Sequence, residues 1–284
     1  MQLLLNQQKN WYMMNMRKNE KIVEEIINDE IKKIPNNSLV MFLSGGLDSS
    51  LILALLRKSK PTVKIKTYTY AKDINHPDIL YARKISKQFN TEHTEIFLTN
   101  KLFNEYQKEF DKIKKYNYEG DIYWYILSKN VEEYSNIITG DGGDECFGGY
   151  FLHKYPLGHK ETGEITSFEQ ISIYTQEHIK EMFNNKFRNF LFKEKSVEQD
   201  YNDVWEYYIN TLIPQQVKPL TYMEEIFNIK FYLPLCSEKL IEFMRNVSYI
   251  NRIDKNIERN IANKYLSKDI INRKKFNLKG YDAR

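Results

Sequence analysis

Cysteine and long apolar runs are both scarce in this sequence, and each scarcity excludes a class of protein. Two cysteines among 284 residues are too few for a disulfide framework, and no C-x-x-C or Cys/His cluster gives the spacing of metal ligands. No run of about 18 apolar residues occurs, and the first 20 residues lack an apolar stretch of signal-peptide length. We therefore expect a cytoplasmic protein without a membrane partner.

An excess of one charge sign is also missing. The sequence has 42 Lys+Arg against 38 Asp+Glu, a net charge of +4, which is too small to indicate a nucleic-acid partner. Disorder would require fewer apolar residues and a larger net charge, whereas 42% of the residues are hydrophobic. The composition predicts a folded protein of one large domain or two smaller ones.

Hydrophobic periodicity predicts alternating helices and strands over the first 150 residues. The predicted elements are, in chain order, a helix over 19–34, a strand over 39–43, a helix over 48–57, a strand over 63–70, a helix over 76–89, a strand over 94–98, a helix over 101–116 and a strand over 136–139. Strands alternating with helices are typical of a parallel sheet covered by helices. From 167 to 268 the pattern is mostly helical, with interruptions at Pro214, Pro219 and Pro234.

The segment SGGLDSS (44–50) lies between a predicted buried strand and a predicted helix. Two glycines let the backbone approach a ligand closely, and the first N–H groups of a helix are unpaired, so the segment predicts a phosphate site. A Gly-rich turn with a Ser/Asp helix cap is the alternative. The Walker pattern G-x-x-x-x-G-K-S/T is absent. The candidate phosphate-binding residues are Ser44, Gly45, Gly46, Ser49 and Ser50.

Carboxylates accompany both glycine-rich segments of the chain. Asp48 would repel a polyphosphate unless a divalent cation lay between them, so its presence indicates Mg²⁺. The second segment, TGDGGDECFGGY (139–150), places three acids among five glycines at the end of a predicted strand. These acids would repel one another without a bound cation or a basic substrate. A solvated loop with incidental acids is the alternative.

These motifs resemble those of a known enzyme superfamily. SGGLDSS resembles the SGGxDS loop with which N-type ATP pyrophosphatases hold the β- and γ-phosphates of ATP. TGDGGDECFGGY resembles the SGEGxDELFGGY signature of asparagine synthetases and β-lactam synthetases, and NRKKFN (272–277) resembles their C-terminal NRPKxGF. The resemblance covers residues 18–278. It implies an adenine nucleotide alpha-hydrolase-like fold, with a parallel sheet flanked by helices and a mostly helical C-terminal part.

The resemblance also implies roles for individual residues. Asp48 and Asp144 would hold Mg²⁺, and Asp141, where many members have Glu, would orient or deprotonate the attacking amine. Lys275 would neutralise charge on the α-phosphate and the acyl-adenylate as they form. The residues that would contact adenine and ribose through backbone groups are Leu43, Thr69 and Gly140. We expect His76 and His93 to be structural.

The sequence departs from the family in two places. Asparagine synthetases begin with a glutaminase domain whose N-terminal cysteine attacks glutamine, whereas here Met1 is followed by Gln2. We therefore expect ammonia, a substrate amine or a separate glutaminase subunit as the nitrogen source. An Asp-Arg pair of the family is replaced by Thr221-Tyr222, and a second arginine by Tyr232. Tyrosine cannot replace the charged fork that binds a carboxylate, so aspartate is doubtful as the substrate.

The hypothesis that follows is an ATP-dependent, AMP-forming amide ligase. It would adenylate a small-molecule or peptide carboxylate with Mg²⁺ and release pyrophosphate before an amine attacks. A tRNA-modifying ATP pyrophosphatase and a non-catalytic nucleotide-binding subunit are the alternatives, and a homodimer stays open. We expect one domain over 1–284, with a helical lead-in at 1–35, an ATP pyrophosphatase core at 36–150, and a substrate-side part with a basic end at 151–284.

Overall fold

The computed structural model describes residues 2–114, 121–150 and 204–274 of the chain. Five strands and eleven α-helices lie in these ranges. They are α1 (Gln2–Lys33), β1 (Leu39–Phe42), α2 (Leu47–Ser59), β2 (Ile65–Ala71), α3 (Pro77–Gln88), β3 (Glu92–Phe97), α4 (Asn100–Ile113), α5 (Asp121–Lys129), β4 (Asn136–Ile138), α6 (Gly143–Cys146), α7 (Val204–Phe227), β5 (Lys230–Tyr232), α8 (Glu238–Arg245), α9 (Tyr249–Arg252), α10 (Asn256–Ala262) and α11 (Lys268–Ile271).

The strands form one parallel sheet in the order β3-β2-β1-β4-β5. Leu39 of β1 lies opposite Ile65 of β2 on one side and opposite Asn136 of β4 on the other. All four residues of β1 are buried, as expected for a central strand covered on both faces. Because the strands are parallel, the loops after β1, β2 and β4 meet at one edge of the sheet.

Two apolar clusters cover the two faces of the sheet. One contains residues of α1, α2, the first half of α7 and the C-terminal helices, and the other contains residues of α4, α5 and the second half of α7. Trp205 on α7 is fully buried, and its indole N–H donates to the carbonyl of Cys146 at 2.7 Å. This bond fixes α7 against the short helix α6. In the described ranges, no helix has both the length and the apolar content needed to cross a bilayer.

The predicted α/β class with its parallel sheet is confirmed, and β1 to β4 occur within a few residues of their predicted bounds. α5 and β5 were not predicted, and β5 lies within the stretch expected to be mostly helical. The predicted interruptions at Pro214 and Pro219 are wrong, because α7 continues through both prolines. Each proline removes one N–H donor, and the buried face of α7, with Trp205, Ile213 and Leu220, holds the helix together by packing.

Candidate functional site

A cleft of about 360 Å³ opens at the edge of the sheet where β1, β2 and β4 end. Its walls come from the two glycine-rich loops, from β2 and from α5 and α7. The predicted site residues that line it are Leu43, Ser44, Asp48, Ser49, Thr69, Gly140, Asp141 and Asp144. The two motifs, nearly 100 residues apart in the sequence, therefore face one common space.

Three predicted site residues do not line the cleft, and a fourth cannot be placed. Gly45 and Gly46 belong to the first loop but are not part of the cleft wall. Ser50 is fully buried in α2, one residue beyond the position that faces the cleft. Lys275 lies outside the described residues.

The first loop is held by its own hydroxyl groups and by α3. Ser44 Oγ accepts the N–H of Gly46 at 3.2 Å and lies 3.2 Å from Ser49 Oγ. Gly45 has a φ of +66°, and a Cβ there would lie 2.5 Å from the backbone nitrogen of Ala82. The loop therefore needs glycine at this position for its conformation and for its close approach to α3.

The glycines of the second loop let the two loops touch. A Cβ on Gly140 would lie 2.6 Å from the backbone nitrogen of Ser49, and a Cβ on Gly143 would lie 2.6 Å from the carboxyl group of Asp48. A side chain at position 140 would therefore displace the backbone of the first loop, and one at position 143 would displace the Asp48 side chain. The carboxylates of the two loops are brought together by this contact.

Lys255 joins two carboxylates of the cleft wall, Asp48 and Asp144, without lining the cleft itself. Its Nζ contacts Asp48 Oδ1, lies 2.8 Å from Asp144 Oδ1 and lies 3.7 Å from Glu258 Oε2. Burial alone would lower the pKa of Lys255, but the charges of Asp144 and Asp48 outweigh it and raise the pKa well above its usual value. The Lys255 side chain is only 9% exposed, so the ammonium stays charged and paired.

The backbone of the second loop positions Lys255. Asp254 and Lys255 both have left-handed φ angles, 56° and 57°, and their N–H groups donate to the carbonyls of Gly148 and Phe147 at 2.9 and 2.8 Å. A Cβ on Gly149 would lie 2.4 Å from Lys255 Cε and 2.3 Å from Asp144 Oδ1. Sequence reasoning missed Lys255, because one lysine among many carries no motif of its own.

The carboxylate pair suits a divalent cation. Asp48 and Asp144 contact the same ammonium, so their oxygens converge on a space of cation size. Across the described ranges no group of three or more His, Cys, Asp or Glu side chains could hold a metal by itself. Mg²⁺ is usually bound by one or two carboxylates together with substrate phosphates. The residues therefore fit a Mg²⁺ that arrives with a phosphate ligand.

Beyond Asp141 the cleft wall is polar and partly buried. Glu145 Oε1 accepts the hydroxyl of Tyr150 and the side-chain N–H of Gln216, the latter at 2.6 Å. Burial raises the pKa of Glu145. Gln216 Oε1 has no hydrogen-bond donor in the part of the chain that the structure describes, so this wall offers an acceptor to a ligand that carries N–H or O–H groups.

Aromatic side chains form the opposite wall of the cleft. The rings of Tyr70 and Tyr123 stack with centroids 5.0 Å apart, and those of Phe42 and Trp124 stack at 6.0 Å. Burial raises the pKa of Tyr70 well above its usual value, so its hydroxyl stays protonated. This wall has the flat, apolar surface that a purine ring or an aromatic substrate would contact.

The tyrosines that replace family arginines are not among the residues that line the cleft. The hydroxyl of Tyr222 donates to the carbonyl of Ile113, and Tyr232 packs against the apolar core. The two histidines are bonded within the scaffold, His76 Nδ1 accepting the N–H of Asp78 and His93 Nδ1 lying 2.9 Å from Thr67 Oγ1.

Comparison with known proteins gives a consistent family. Residues 36–280 match the family model described as asparagine synthase. A Methanocaldococcus jannaschii protein named as a glutamine-hydrolysing asparagine synthetase is 23% identical over 72% of this chain and 40% of its own length. The asparagine synthetases of Gallus gallus and Homo sapiens are 34% and 29% identical over 40% and 49% of this chain, and over 22% and 27% of their own lengths. The chain therefore spans less than half the length of these relatives.

Solved structures give weaker likenesses. The NH3-dependent NAD synthetase of Campylobacter jejuni superposes with a TM-score of 0.32 and 19% identity, covering 85% of this chain and 94% of its own. The U34-tRNA thiolase of Methanococcus maripaludis gives a TM-score of 0.34 and 11% identity, covering 87% of this chain and 72% of its own.

Proposed function

The chain belongs to the asparagine synthase family, and from this premise we propose that it is an ATP-dependent, AMP-forming amide ligase. The observation that carries the proposal is that Asp48 and Asp144, which come from two glycine-rich loops, both contact the ammonium of Lys255. A site built to bring two carboxylates to one cation suits the binding of a metal–polyphosphate.

The proposed reaction has two steps. A carboxylate oxygen of the substrate attacks the α-phosphorus of ATP and pyrophosphate leaves; an amine then attacks the acyl carbon and AMP leaves. Mg²⁺ held by Asp48 and Asp144 would supply charge neutralisation for the leaving pyrophosphate. This chain's hydroxyl groups on Ser44 and Ser49 would donate to phosphate oxygens, because both line the cleft beside Asp48.

Further roles follow from the positions of the other lining residues. Leu43, Thr69 and Gly140, which line the cleft, would contact adenine and ribose through backbone groups. Asp141 would accept the proton of the attacking amine. Lys275, which lies outside the described residues, would stabilise charge that develops on the α-phosphate, as the family motif implies.

The nitrogen source and the division of the chain belong to the same proposal. Free ammonia, a substrate amine or ammonia from a separate glutaminase subunit would serve as the nitrogen donor. Residues 36–150 would bind ATP, and residues 151–284 would complete the substrate side. The acceptor wall around Glu145 and Gln216 suits an amine-bearing ligand.

Exchange of radiolabelled pyrophosphate into ATP tests the proposal. Wild-type protein with Mg²⁺ and a panel of carboxylates should show exchange with at least one acid, and Asp48→Asn and Asp144→Asn should each lower it by about 100-fold or more, as for a lost metal contact. Asp111→Asn is the matched control, because Asp111 pairs with Lys114 on the exposed face of α4 and should leave exchange unchanged.

The outcomes separate the competing functions. Binding of ATP·Mg²⁺ in calorimetry without exchange for any carboxylate would favour a non-catalytic subunit. Salt-sensitive binding of bulk tRNA in a gel shift would favour a tRNA-modifying enzyme. Exchange that survives both Asp48→Asn and Asp144→Asn would refute the assigned metal site.

A further inference from the structure

Arg273, near the C-terminal end of the described residues, contacts both the first glycine-rich loop and α3. Its Nη1 donates to the carbonyl oxygen of Ser44 at 2.9 Å, across 229 positions of sequence. Its Nη2 pairs with Asp78 Oδ1 in the first turn of α3, and its guanidinium lies 4.7 Å from the centre of the Tyr81 ring. The Arg273 side chain is 5% exposed.

These contacts fix the orientation of one peptide group. The Ser44–Gly45 peptide begins the loop, and its glycine has a φ of +66°, so no side chain of its own restrains it. In a trans peptide the C=O and the N–H point in opposite directions. A cation that holds the Ser44 carbonyl therefore also fixes the direction of the Gly45 N–H.

The geometry of the guanidinium makes the restraint stiff. A planar fork can hold a carbonyl and a carboxylate at once, and its face can rest on an aromatic ring, whereas a lysine ammonium would satisfy fewer of these contacts. The ring of Tyr81 belongs to the same turn of α3 whose backbone lies against Gly45, where a Cβ would come within 2.7 Å of Tyr81. Loop, helix and guanidinium are thus packed together.

We propose that Arg273 is a positioning residue that holds the Ser44–Gly45 peptide in the orientation required by the β- and γ-phosphates of ATP. The inference rests on the proposed function, since it presumes a polyphosphate ligand at this loop. It assigns to Arg273 an action through the backbone of the loop, distinct from that of the carboxylates on the metal.

Titration calorimetry with Mg²⁺·pyrophosphate and, separately, with adenosine tests the inference. Arg273→Met should bind pyrophosphate about tenfold or more weakly, the effect of one misdirected hydrogen bond to a charged group. Adenosine has no phosphate and would not use the phosphate loop, so its affinity should stay within about twofold. A role that only stabilises the fold would weaken both ligands together.

Two further variants keep the result interpretable. Asp78→Asn removes the ion pair but leaves the bond between Arg273 and Ser44, so it should keep pyrophosphate affinity within about threefold of the wild type. Arg273→Lys keeps the charge without the planar fork, so its affinity for pyrophosphate should lie between those of Asp78→Asn and Arg273→Met. This variant also tests the inference if Arg273→Met does not fold.

The failure of this inference differs from that of the proposed function. Wild-type protein that binds neither pyrophosphate nor adenosine would refute both. Wild-type binding with an Arg273→Met affinity for pyrophosphate equal to the wild type, or with equal losses for both ligands, would overturn the positioning role alone. An Asp78→Asn loss as large as that of Arg273→Met would assign the effect to the ion pair and likewise overturn it.

Discussion

Replacing Lys255 by methionine should destabilise the protein and make its stability depend on divalent cations. Methionine preserves most of the side-chain length but removes the ammonium that contacts Asp48 and Asp144 and lies 3.7 Å from Glu258. Breaking a buried ion pair by removing one partner costs about 3–5 kcal/mol. Burial already raises the pKa of Glu258, so its protonation relieves part of the repulsion, and we expect the lower end of that range.

The expected loss is large enough to measure in a melting experiment. About 3 kcal/mol corresponds to a fall in Tm of roughly 6–12 °C for a chain of this size. The raised folded-state pKa of Lys255 means that its contribution is fully present below the usual lysine pKa of about 10.4 and is lost as the pH rises through the folded-state value. Measurements at pH 7 therefore sample the whole effect.

Magnesium should reverse part of the loss in the variant. In the wild type a metal must displace the ammonium from Asp48 and Asp144, whereas in Lys255→Met no ammonium competes for the two carboxylates, and ligand at about 100 times its Kd adds about 2.7 kcal/mol. Unfolding is followed by circular dichroism in EDTA and in excess Mg²⁺. Lys264→Met is the matched control, because Lys264 forms a half-exposed pair with Glu24 worth about 0–1 kcal/mol. A variant as stable as the wild type, or one indifferent to Mg²⁺, would refute the reasoning.

Three further changes test other parts of the site. Gly140→Ala should destabilise the protein by about 1–3 kcal/mol in urea titrations, because the new Cβ would lie 2.6 Å from Ser49 N; an unchanged midpoint would contradict the close contact of the loops. Glu145→Gln should raise the urea midpoint at neutral pH and converge with the wild type below about pH 4, because burial raises the pKa of Glu145 and its ionisation costs stability as the pH rises through that value. Trp205→Phe should lower the free energy of unfolding by about 1–3 kcal/mol, because it leaves the buried carbonyl of Cys146 without its donor. Guanidinium unfolding measures this loss, with Trp124→Phe as the control.

Most of the sheet could be predicted from the sequence because its strands are apolar and bounded by strong turn signals. Residues 39–43 form an unbroken apolar run that ends at glycines, and the observed β1 is buried throughout. β5 could not be predicted because it has only three residues, of which Lys230 is exposed. Neither an apolar run nor an alternating pattern marks it. Its place in the sheet comes from pairing with β4, from Asn136 to Ile138, which a local pattern cannot encode.

The site could be predicted in part, and the division has a physical cause. Local motifs identified Ser44, Asp48, Asp141 and Asp144, all of which line the cleft. They could be identified because each belongs to a glycine-rich segment that directly follows a predicted strand. Lys255 is brought to Asp48 and Asp144 by backbone hydrogen bonds with a segment more than 100 positions earlier in the chain. The sequence contains no local periodicity or motif spacing from which a side chain placed by tertiary hydrogen bonds could be predicted.

The chain has few glycines, and most of those that the structure describes have an identifiable structural role. The chain has 11 glycines, and all seven in the described ranges belong to the two loops of the cleft; at six of them a Cβ would come within 3.0 Å of an atom from another segment or residue. Three of the six have positive φ angles, so the conformational freedom of glycine explains only half of them. The other three, Gly140, Gly143 and Gly149, are required because Ser49, Asp48, Asp144 and Lys255 occupy the space that a Cβ would need. The positions of the glycines therefore allow the two loops to touch, and this contact brings Asp48 and Asp144 together on the ammonium of Lys255.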